Sequence, residues 1–263
     1  MADAPWSNGS ITPLFIEGYP DQLSYAPGET CSLHVSTSSP SFSIKVAPTS
    51  CPPAPAALSS AGGPGAQVER IGVKREEVLS ESELRGSLHP VPETAASHGC
   101  GWPAAHSFTV PESWRSGFYE VTLSVEDGGG TFTHRGKRTA ESVLSFVVRA
   151  AAPGSASKVL LQLSTNSYAA YNNWGGFSVY GYHGINGVQG HRASFERPMG
   201  TGLYYSWEHF FVVWAEGNGE TAFATHTHTR THHPPPTRHH HHPNFLFSLP
   251  PVTAPPRRCS RPP

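Results

Sequence analysis

Residues 117–127 read GFYEVTLSVED, and their alternation of apolar and polar side chains decides the fold of the first part of the chain. Four apolar residues fall on one face of an extended segment, namely Tyr119, Val121, Leu123 and Val125. A period of two residues, enriched in β-branched and aromatic side chains, is typical of a β-strand with one buried face. The segment therefore predicts an antiparallel strand.

Three further segments alternate in the same way: CSLHVSTS (31–38), SFSIKVAP (41–48) and SVLSFVVRA (142–150). Short strands separated by turn residues predict a β-sandwich over residues 11–149. The sequence YAPGE (25–29) predicts a tight turn, because Pro27 fixes φ and Gly28 accepts a positive φ. Residues 73–86, VKREEVLSESELRG, indicate a short helix, on weak apolar spacing.

A linker of small residues, RAAAPGSASK (149–158), marks a domain boundary. An apolar run of strand length, an amphipathic helix and a short strand follow it: VLLQLS (159–164), SWEHFFVVWAEGNG (206–219) and ETAFAT (220–225). Ser206 suits the N-cap of the helix and Gly217 its C′ position. A strand, a helix and a strand form a βαβ unit, so residues 158–224 are predicted to open an α/β domain.

The segment NSYAAYNNWGGFSVYGYHG (166–184) contains four tyrosines, three asparagines and four glycines, and it has no Lys, Arg, Asp or Glu. It follows the predicted strand 159–164, and ligands of open α/β sheets bind beyond the carboxyl ends of strands. Glycines allow the backbone to approach a ligand, while phenols and amides supply hydrogen-bond donors and acceptors. This composition favours a ligand-binding loop. The alternative is an aromatic loop that packs beneath the sandwich.

The last part of the chain, residues 225–263, is rich in proline and histidine and lacks apolar periodicity. Such a composition predicts a disordered tail. The tail contains eight of the sixteen histidines, between His226 and His242. Clustered imidazoles can bind zinc, copper or nickel. A translated nucleotide repeat, which also yields Thr-His and His-Pro runs, is the interpretation we favour.

Charge and cysteine content exclude several classes of protein. The 18 basic and 19 acidic residues nearly balance, so nothing global points to nucleic acid or an anionic membrane. The four cysteines follow no zinc or redox spacing. We find neither a signal peptide nor an apolar run long enough to span a bilayer. A cytoplasmic protein is therefore expected.

Several segments resemble the large (beta) subunit of N,N-dimethylformamidase and its wider family. They are GYPDQLSYAPGETCSLHVSTS (18–38), GCGWPAAHSFTVPESWRSGFYEVTL (99–123), NSYAAYNNWGGFSVYGYHGINGVQGHRASFERP (166–198) and YSWEHFFVVWAEGNG (205–219). The Tyr/Asn/Gly segment is the most specific of these, whereas the strand motifs alone are weak.

The resemblance implies an amidohydrolase that acts on small N-substituted amides with one iron ion, held by two tyrosines and a glutamate. It places the site in a glutamine-amidotransferase-like α/β domain of the Rossmann type. The matching tyrosines are Tyr171 and Tyr180, with Tyr182 as the rival of Tyr180. His183 is implied to orient a ligand, and Asn172 joins it as a candidate catalytic residue. The implied partners are a small companion subunit or further copies of the chain.

The third ligand of the family lies in a downstream His-x-Glu motif, and no such motif follows Gly219. The nearby carboxylates are Glu196 and Glu208, and Glu208 is expected in the first turn of its helix, where it complements the helix dipole. Two tyrosines without the glutamate would hold iron poorly. The sequence therefore predicts a truncated family member that is inactive on its own.

Two other functions stay open from the sequence. One is a non-catalytic β-sandwich module that binds a partner or ligand. The other is a carbohydrate-binding sandwich, which would need exposed Trp102 and Trp114. Because both tryptophans flank turn residues, packing at the sandwich edges is favoured for them.

Overall fold

A computed structural model describes residues 13–49, 76–127, 138–155, 159–200, 202, 204, 208–217, 224–225 and 246–248. Within these ranges the chain is rich in β-structure and its helices are short. None of the helices in this part of the chain is long and apolar enough to cross a membrane.

Eight strands and one short helix are described between residues 13 and 155. In chain order they are β1 (Ile16–Pro20), β2 (Ser24–Tyr25), β3 (Thr30–Thr37), β4 (Ser41–Pro48), β5 (Leu79–Arg85), α1 (Ala95–His98), β6 (Ala104–Thr109), β7 (Gly117–Asp127) and β8 (Arg138–Val148). Strands β4 and β7 have the bounds that their alternating side chains predict, and β3 is displaced by one residue.

The strands form two sheets that enclose one core. The smaller sheet has the antiparallel order β1-β3-β6, and the larger has the order β2-β8-β7-β4-β5. All pairs in the larger sheet are antiparallel except β2, which runs parallel to β8. The apolar face predicted for β7 points into this core, between side chains of both sheets. Two facing sheets around a shared core are the layers of a β-sandwich.

The turn before β3 has the predicted form. Gly28 has a φ of 84°, and the backbone N–H of Glu29 donates to the carbonyl of Ala26 at 3.1 Å. Proline followed by glycine with positive φ is the arrangement of a type II turn.

The helix predicted for residues 73–86 is wrong over its described part, because residues 79–85 form strand β5. Cross-strand pairs join Leu79 to Val46 and Leu84 to Phe42. A register shift interrupts the pairing near Glu83, which has a φ of 57°. Pairing with β4 outweighs the helix propensity of the leucines and glutamates. Helix propensity is a weak preference that tertiary contacts override.

The remaining elements follow residue 159. They are β9 (Leu160–Leu161), α2 (Thr165–Tyr171), β10 (Arg192–Ser194), α3 (Glu208–Gly217), β11 (Ala224–Thr225) and β12 (Leu246–Ser248). Strands β9 and β11 pair in parallel, with α3 between them in the sequence, which agrees with the predicted βαβ order. A larger α/β domain of the Rossmann type stays a prediction. Within the tail, β12 pairs antiparallel with β10, and most other tail residues lie outside the described ranges.

The region after residue 159 packs on the outer face of the larger sheet. Phe118 of β7 and Val147 of β8 are cross-strand partners, and both side chains are buried against this region. Their contacts come from Leu163, Tyr168 and Tyr204. The outer face of the sheet is therefore part of a second apolar cluster.

Candidate functional site

The Tyr/Asn/Gly segment begins as a helix and continues as turns. Its first residues belong to α2, which ends at Tyr171, and two turns of 3₁₀ helix follow at Gly181–His183 and Ile185–Gly187. The sequence predicted a loop for the whole segment. The alanines beside Tyr171 favour the helix, whereas the later glycines do not extend it. The predicted ligand-binding role stays untested.

Three tyrosines from this segment come together at the surface, and we call Tyr171, Tyr180 and Tyr182 the phenol cluster. The ring centroids of Tyr171 and Tyr180 are 4.4 Å apart, and those of Tyr180 and Tyr182 are 5.7 Å apart. The exposed fractions are 38% for Tyr171, 37% for Tyr180 and 70% for Tyr182. The structure thus brings together the two predicted ligands and their rival.

The phenols of the cluster affect one another's titration. A side-chain hydrogen bond with Tyr171 raises the pKa of Tyr180, with a smaller contribution from the charge of Tyr171. Desolvation raises the pKa of Tyr182, and a hydrogen bond with Tyr171 adds to the shift. By ring contacts, Tyr180 is the central member of the phenol cluster, because its ring lies next to both of the others.

His183 lies beside this cluster. Its Nδ1 is 3.3 Å from the carbonyl oxygen of Tyr171, and its ring centroid is 4.3 Å from that of Tyr182. Its backbone N–H donates to the carbonyl of Tyr180 at 3.0 Å. These contacts place an imidazole next to the phenols, as the predicted orienting role requires.

Asn172 is occupied by contacts within the fold. Its Nδ2 donates to the carbonyl of Pro198 at 2.9 Å, and its Oδ1 accepts from the backbone N–H of Trp174 at 3.1 Å. These bonds hold the turn after α2. The predicted catalytic role of Asn172 is not tested by this geometry.

Arg197 lies beneath the segment, and the sequence reasoning did not select it. Its side chain is 1% exposed. Desolvation lowers the pKa of Arg197 to about 10, so its guanidinium is still charged at neutral pH. One sequence signal could have pointed to Arg197, namely its position in the family-like segment that ends at Pro198. That segment does not predict which helix and turns the side chain contacts.

The donor set of the phenol cluster suits a hard metal ion but is incomplete. Phenolate oxygens are hard anionic ligands appropriate to ferric iron. No group of three or more His, Cys, Asp or Glu side chains that could hold a metal is found among the described residues. The implied site would take two of its donors, the phenols of Tyr171 and Tyr180, from this segment.

Of the two nearby glutamates, Glu208 makes a described side-chain contact and Glu196 makes a backbone contact. Glu208 lies in the first turn of α3, as predicted, and its Oε1 accepts from the backbone N–H of Ser164 at 3.3 Å. Burial raises the pKa of the Tyr168 phenol, and the neighbouring Glu208 carboxylate adds to the shift. The carbonyl of Glu196 accepts from the backbone N–H of Cys100 at 2.8 Å.

The tryptophans of the carbohydrate interpretation are buried. Trp114 is 8% exposed and belongs to the sandwich core, and Trp102 is 4% exposed and packs against Tyr19. Packing, which the sequence favoured, is confirmed. Neither ring offers a surface to a sugar.

The segment that carries the phenol cluster lies within a match to the dimethylformamidase-like class of proteins. The model of the family described as N,N-dimethylformamidase beta subunit-like, C-terminal, matches residues 66–248, and the chain belongs to this family. The resemblance inferred from the sequence is confirmed. The match covers β5 to β8 as well as the region after residue 159. No curated protein matches the chain.

Proposed function

We propose that this chain supplies Tyr171 and Tyr180 to an iron site of an amidohydrolase that acts on small N-substituted amides. The observation that carries the proposal is the contact between these two phenols, whose ring centroids are 4.4 Å apart although they come from a helix and a later turn. Membership of the dimethylformamidase-like family supports the class of reaction.

The residues of the cluster have separate roles in this proposal. Tyr171 and Tyr180 would hold the metal through their phenolate oxygens. Bound iron would act as a Lewis acid that polarises an amide carbonyl and activates water. His183, within 3.3 Å of the Tyr171 carbonyl, would orient the backbone that carries this ligand. Tyr182 is the more exposed phenol and stays the rival of Tyr180.

We also propose that two phenols alone bind iron weakly. Metal sites that work under turnover hold the ion with three or more protein ligands. Glu208 Oε1 already accepts from the backbone N–H of Ser164, so we do not assign Glu208 as the third ligand. The chain by itself is therefore expected to show no measurable amide hydrolysis.

Phenolate bound to ferric iron absorbs visible light, so binding can be measured without a substrate. Ferric iron added to the purified chain should produce a weak band, which Tyr171→Phe and Tyr180→Phe abolish. Each substitution removes one hydroxyl and keeps the ring. Tyr119→Phe is the matched control, because that hydroxyl donates to the Arg115 carbonyl inside the sandwich, away from the cluster.

The outcomes separate the candidates. If Tyr180→Phe keeps the band and Tyr182→Phe loses it, the ligand is Tyr182. If the wild-type chain gives no band at excess iron, the cluster is a packing element and the non-catalytic module becomes the better interpretation. Release of dimethylamine from N,N-dimethylformamide measures the activity in the same samples.

The family name refers to a beta subunit, and we extend the proposal to assembly with a companion subunit or with copies of the chain. Two exposed apolar side chains follow the phenol cluster in the sequence: Ile185 is 54% exposed and Val188 is 53% exposed. Apolar groups grouped at a surface are suited to protein contacts. Light scattering should give a mass above that of one chain, and the double variant Ile185→Ser, Val188→Ser should reduce it.

A further inference from the structure

The guanidinium of Arg197 is held by backbone carbonyls alone in all five of its described hydrogen bonds. Nε donates to Ser194, Nη1 to Trp174 and Phe177, and Nη2 to Ala169 and Asn172, over donor–acceptor distances of 2.5–3.5 Å. A guanidinium has five N–H donors, so each one can meet a carbonyl. Such complete pairing offsets the cost of burying the charge.

These carbonyls lie on both sides of the proposed ligands. Ala169 and Asn172 flank Tyr171 at the end of α2, where the last helical carbonyls have no partner within the helix. A positive charge is favourable at that end of a helix. The Phe177 carbonyl belongs to the irregular run that leads to Tyr180.

The run that leads to Tyr180 is also tied back to α2. The backbone N–H of Val179 and the Oγ of Ser178 both donate to the carbonyl of Ala170, at 3.1 Å each. The Ser178 Oγ in turn accepts from the backbone N–H of Tyr180 at 2.9 Å. The segments that carry Tyr171 and Tyr180 are therefore joined by one network of backbone hydrogen bonds. The Arg197 guanidinium lies at the centre of this network.

We propose that Arg197 is a positioning residue of the phenol cluster, which fixes the backbone around α2 and the following turn so that Tyr171 meets Tyr180. Its relevance to metal binding rests on the proposed iron site. The contact between the rings does not depend on iron, and the test uses that contact first.

Two variants separate charge from shape. Arg197→Lys keeps the positive charge but has its three donors on one nitrogen. One nitrogen cannot reach carbonyls that lie on different sides of the guanidinium. Arg197→Met keeps an apolar stem and removes the charge. Arg192→Lys is the matched control, because the Arg192 guanidinium lies in the same strand region and contacts only the His98 ring among its described bonds.

The readout is the set of ring signals of ¹³C-labelled tyrosine in two-dimensional NMR, assigned with Tyr171→Phe and Tyr180→Phe. In the wild-type chain each ring displaces the signals of the other by its ring current. We expect both Arg197 variants to lose this mutual displacement while the signals of the core residues Tyr25 and Tyr119 stay in place. Arg192→Lys should keep every signal.

Two results would overturn the proposal. One is a mutual displacement of the Tyr171 and Tyr180 signals that persists in Arg197→Lys and Arg197→Met. The other is the loss of the core signals in both variants, which would make Arg197 a general stabiliser of the fold. Added ferric iron gives an independent second measurement, with affinity expected to fall about 10- to 100-fold in Arg197→Lys. If the wild-type chain binds no iron, the proposed iron site is wrong. The displacement of the Tyr171 and Tyr180 signals would still test the positioning role of Arg197.

Discussion

Phe118 and Tyr204 stack face to face, with ring centroids 3.8 Å apart and an interplanar angle of 10°. One ring comes from β7 and the other from the region after residue 159. The Tyr204 hydroxyl also lies 3.0 Å from the Thr49 Oγ1, just after β4. This pair of residues therefore joins the outer face of the sandwich to the part of the chain that carries the phenol cluster.

Replacing Phe118 with alanine should destabilise the folded chain strongly. The substitution removes the stack and leaves a cavity against Val147 and Tyr204, and a buried Phe→Ala change costs about 3–5 kcal/mol. The free energy of unfolding in urea measures the loss. Tyr204→Phe is the control, because it keeps the stacked ring and removes the hydroxyl with its described contact to Thr49, at a cost of about 1 kcal/mol. Equal losses in the two variants would show that the stack contributes little.

Replacing Gly28 with alanine should destabilise the turn before β3. The φ of 84° is in the left-handed region, where a residue with a Cβ costs about 1–2 kcal/mol. Gly117→Ala is the matched control, since its added Cβ would meet only the Tyr119 ring, at 3.9 Å. The control should be neutral in thermal unfolding. A Gly28→Ala chain as stable as the wild type would contradict the assigned turn.

Stability should fall as the pH rises above about 9, because the protein buries two thiols. Desolvation raises the pKa of Cys31 to about 12 from an ordinary value of 9.0, and burial raises that of Cys100 to about 12 as well. The unfolded chain loses these protons first, so the stabilisation is complete below pH 9 and is lost as the pH rises towards 12. Each thiol should contribute a loss of about 1 kcal/mol between pH 8 and pH 10.

Urea unfolding at several pH values measures this slope, and Cys31→Ala with Cys100→Ala should flatten it. A residual slope is expected above the ordinary tyrosine value of 10.0, because burial raises the pKa of Tyr119 to about 12. If the double variant keeps the full slope near pH 9, the thiols are not its source.

Deleting residues 226–263 should leave the midpoint of thermal unfolding unchanged. Within the deleted part, the described contact is the pairing of the three residues of β12 with β10. Three cross-strand pairs stabilise a domain only slightly, because they must also order the residues that make them. Calorimetry of the shortened chain is the measurement. A decrease of several degrees would mean that β12 is an integral part of the fold.

The sequence predicted those elements whose local pattern and tertiary role agree. β7 alternates in sequence because one of its faces lies in the core, and Gly28 is glycine because its φ is positive. β5 was mistaken for a helix because its pairing with β4 crosses a long stretch of chain, which a local pattern does not contain. Local propensity is weaker than such pairing.

For the candidate site, the sequence identified the tyrosines but not what supports them. The composition of residues 166–184 singled out Tyr171 and Tyr180, and the structure brings their rings together. The role of Arg197 was not predicted because its partners are backbone carbonyls. Every residue has a backbone carbonyl, so no sequence motif identifies these partners. The helical start of the segment was not predicted, because the glycines later in the segment favour loops.

Residues later in the chain cover Phe118 and Val147, so these two side chains are exposed during part of translation. Domains fold from the amino terminus during translation, so a sandwich that folds independently would close while Tyr204 is still inside the ribosome. Until that residue emerges, the nascent protein displays an aromatic and an aliphatic side chain on a finished sheet. During this interval the two side chains are accessible to chaperones and to other chains.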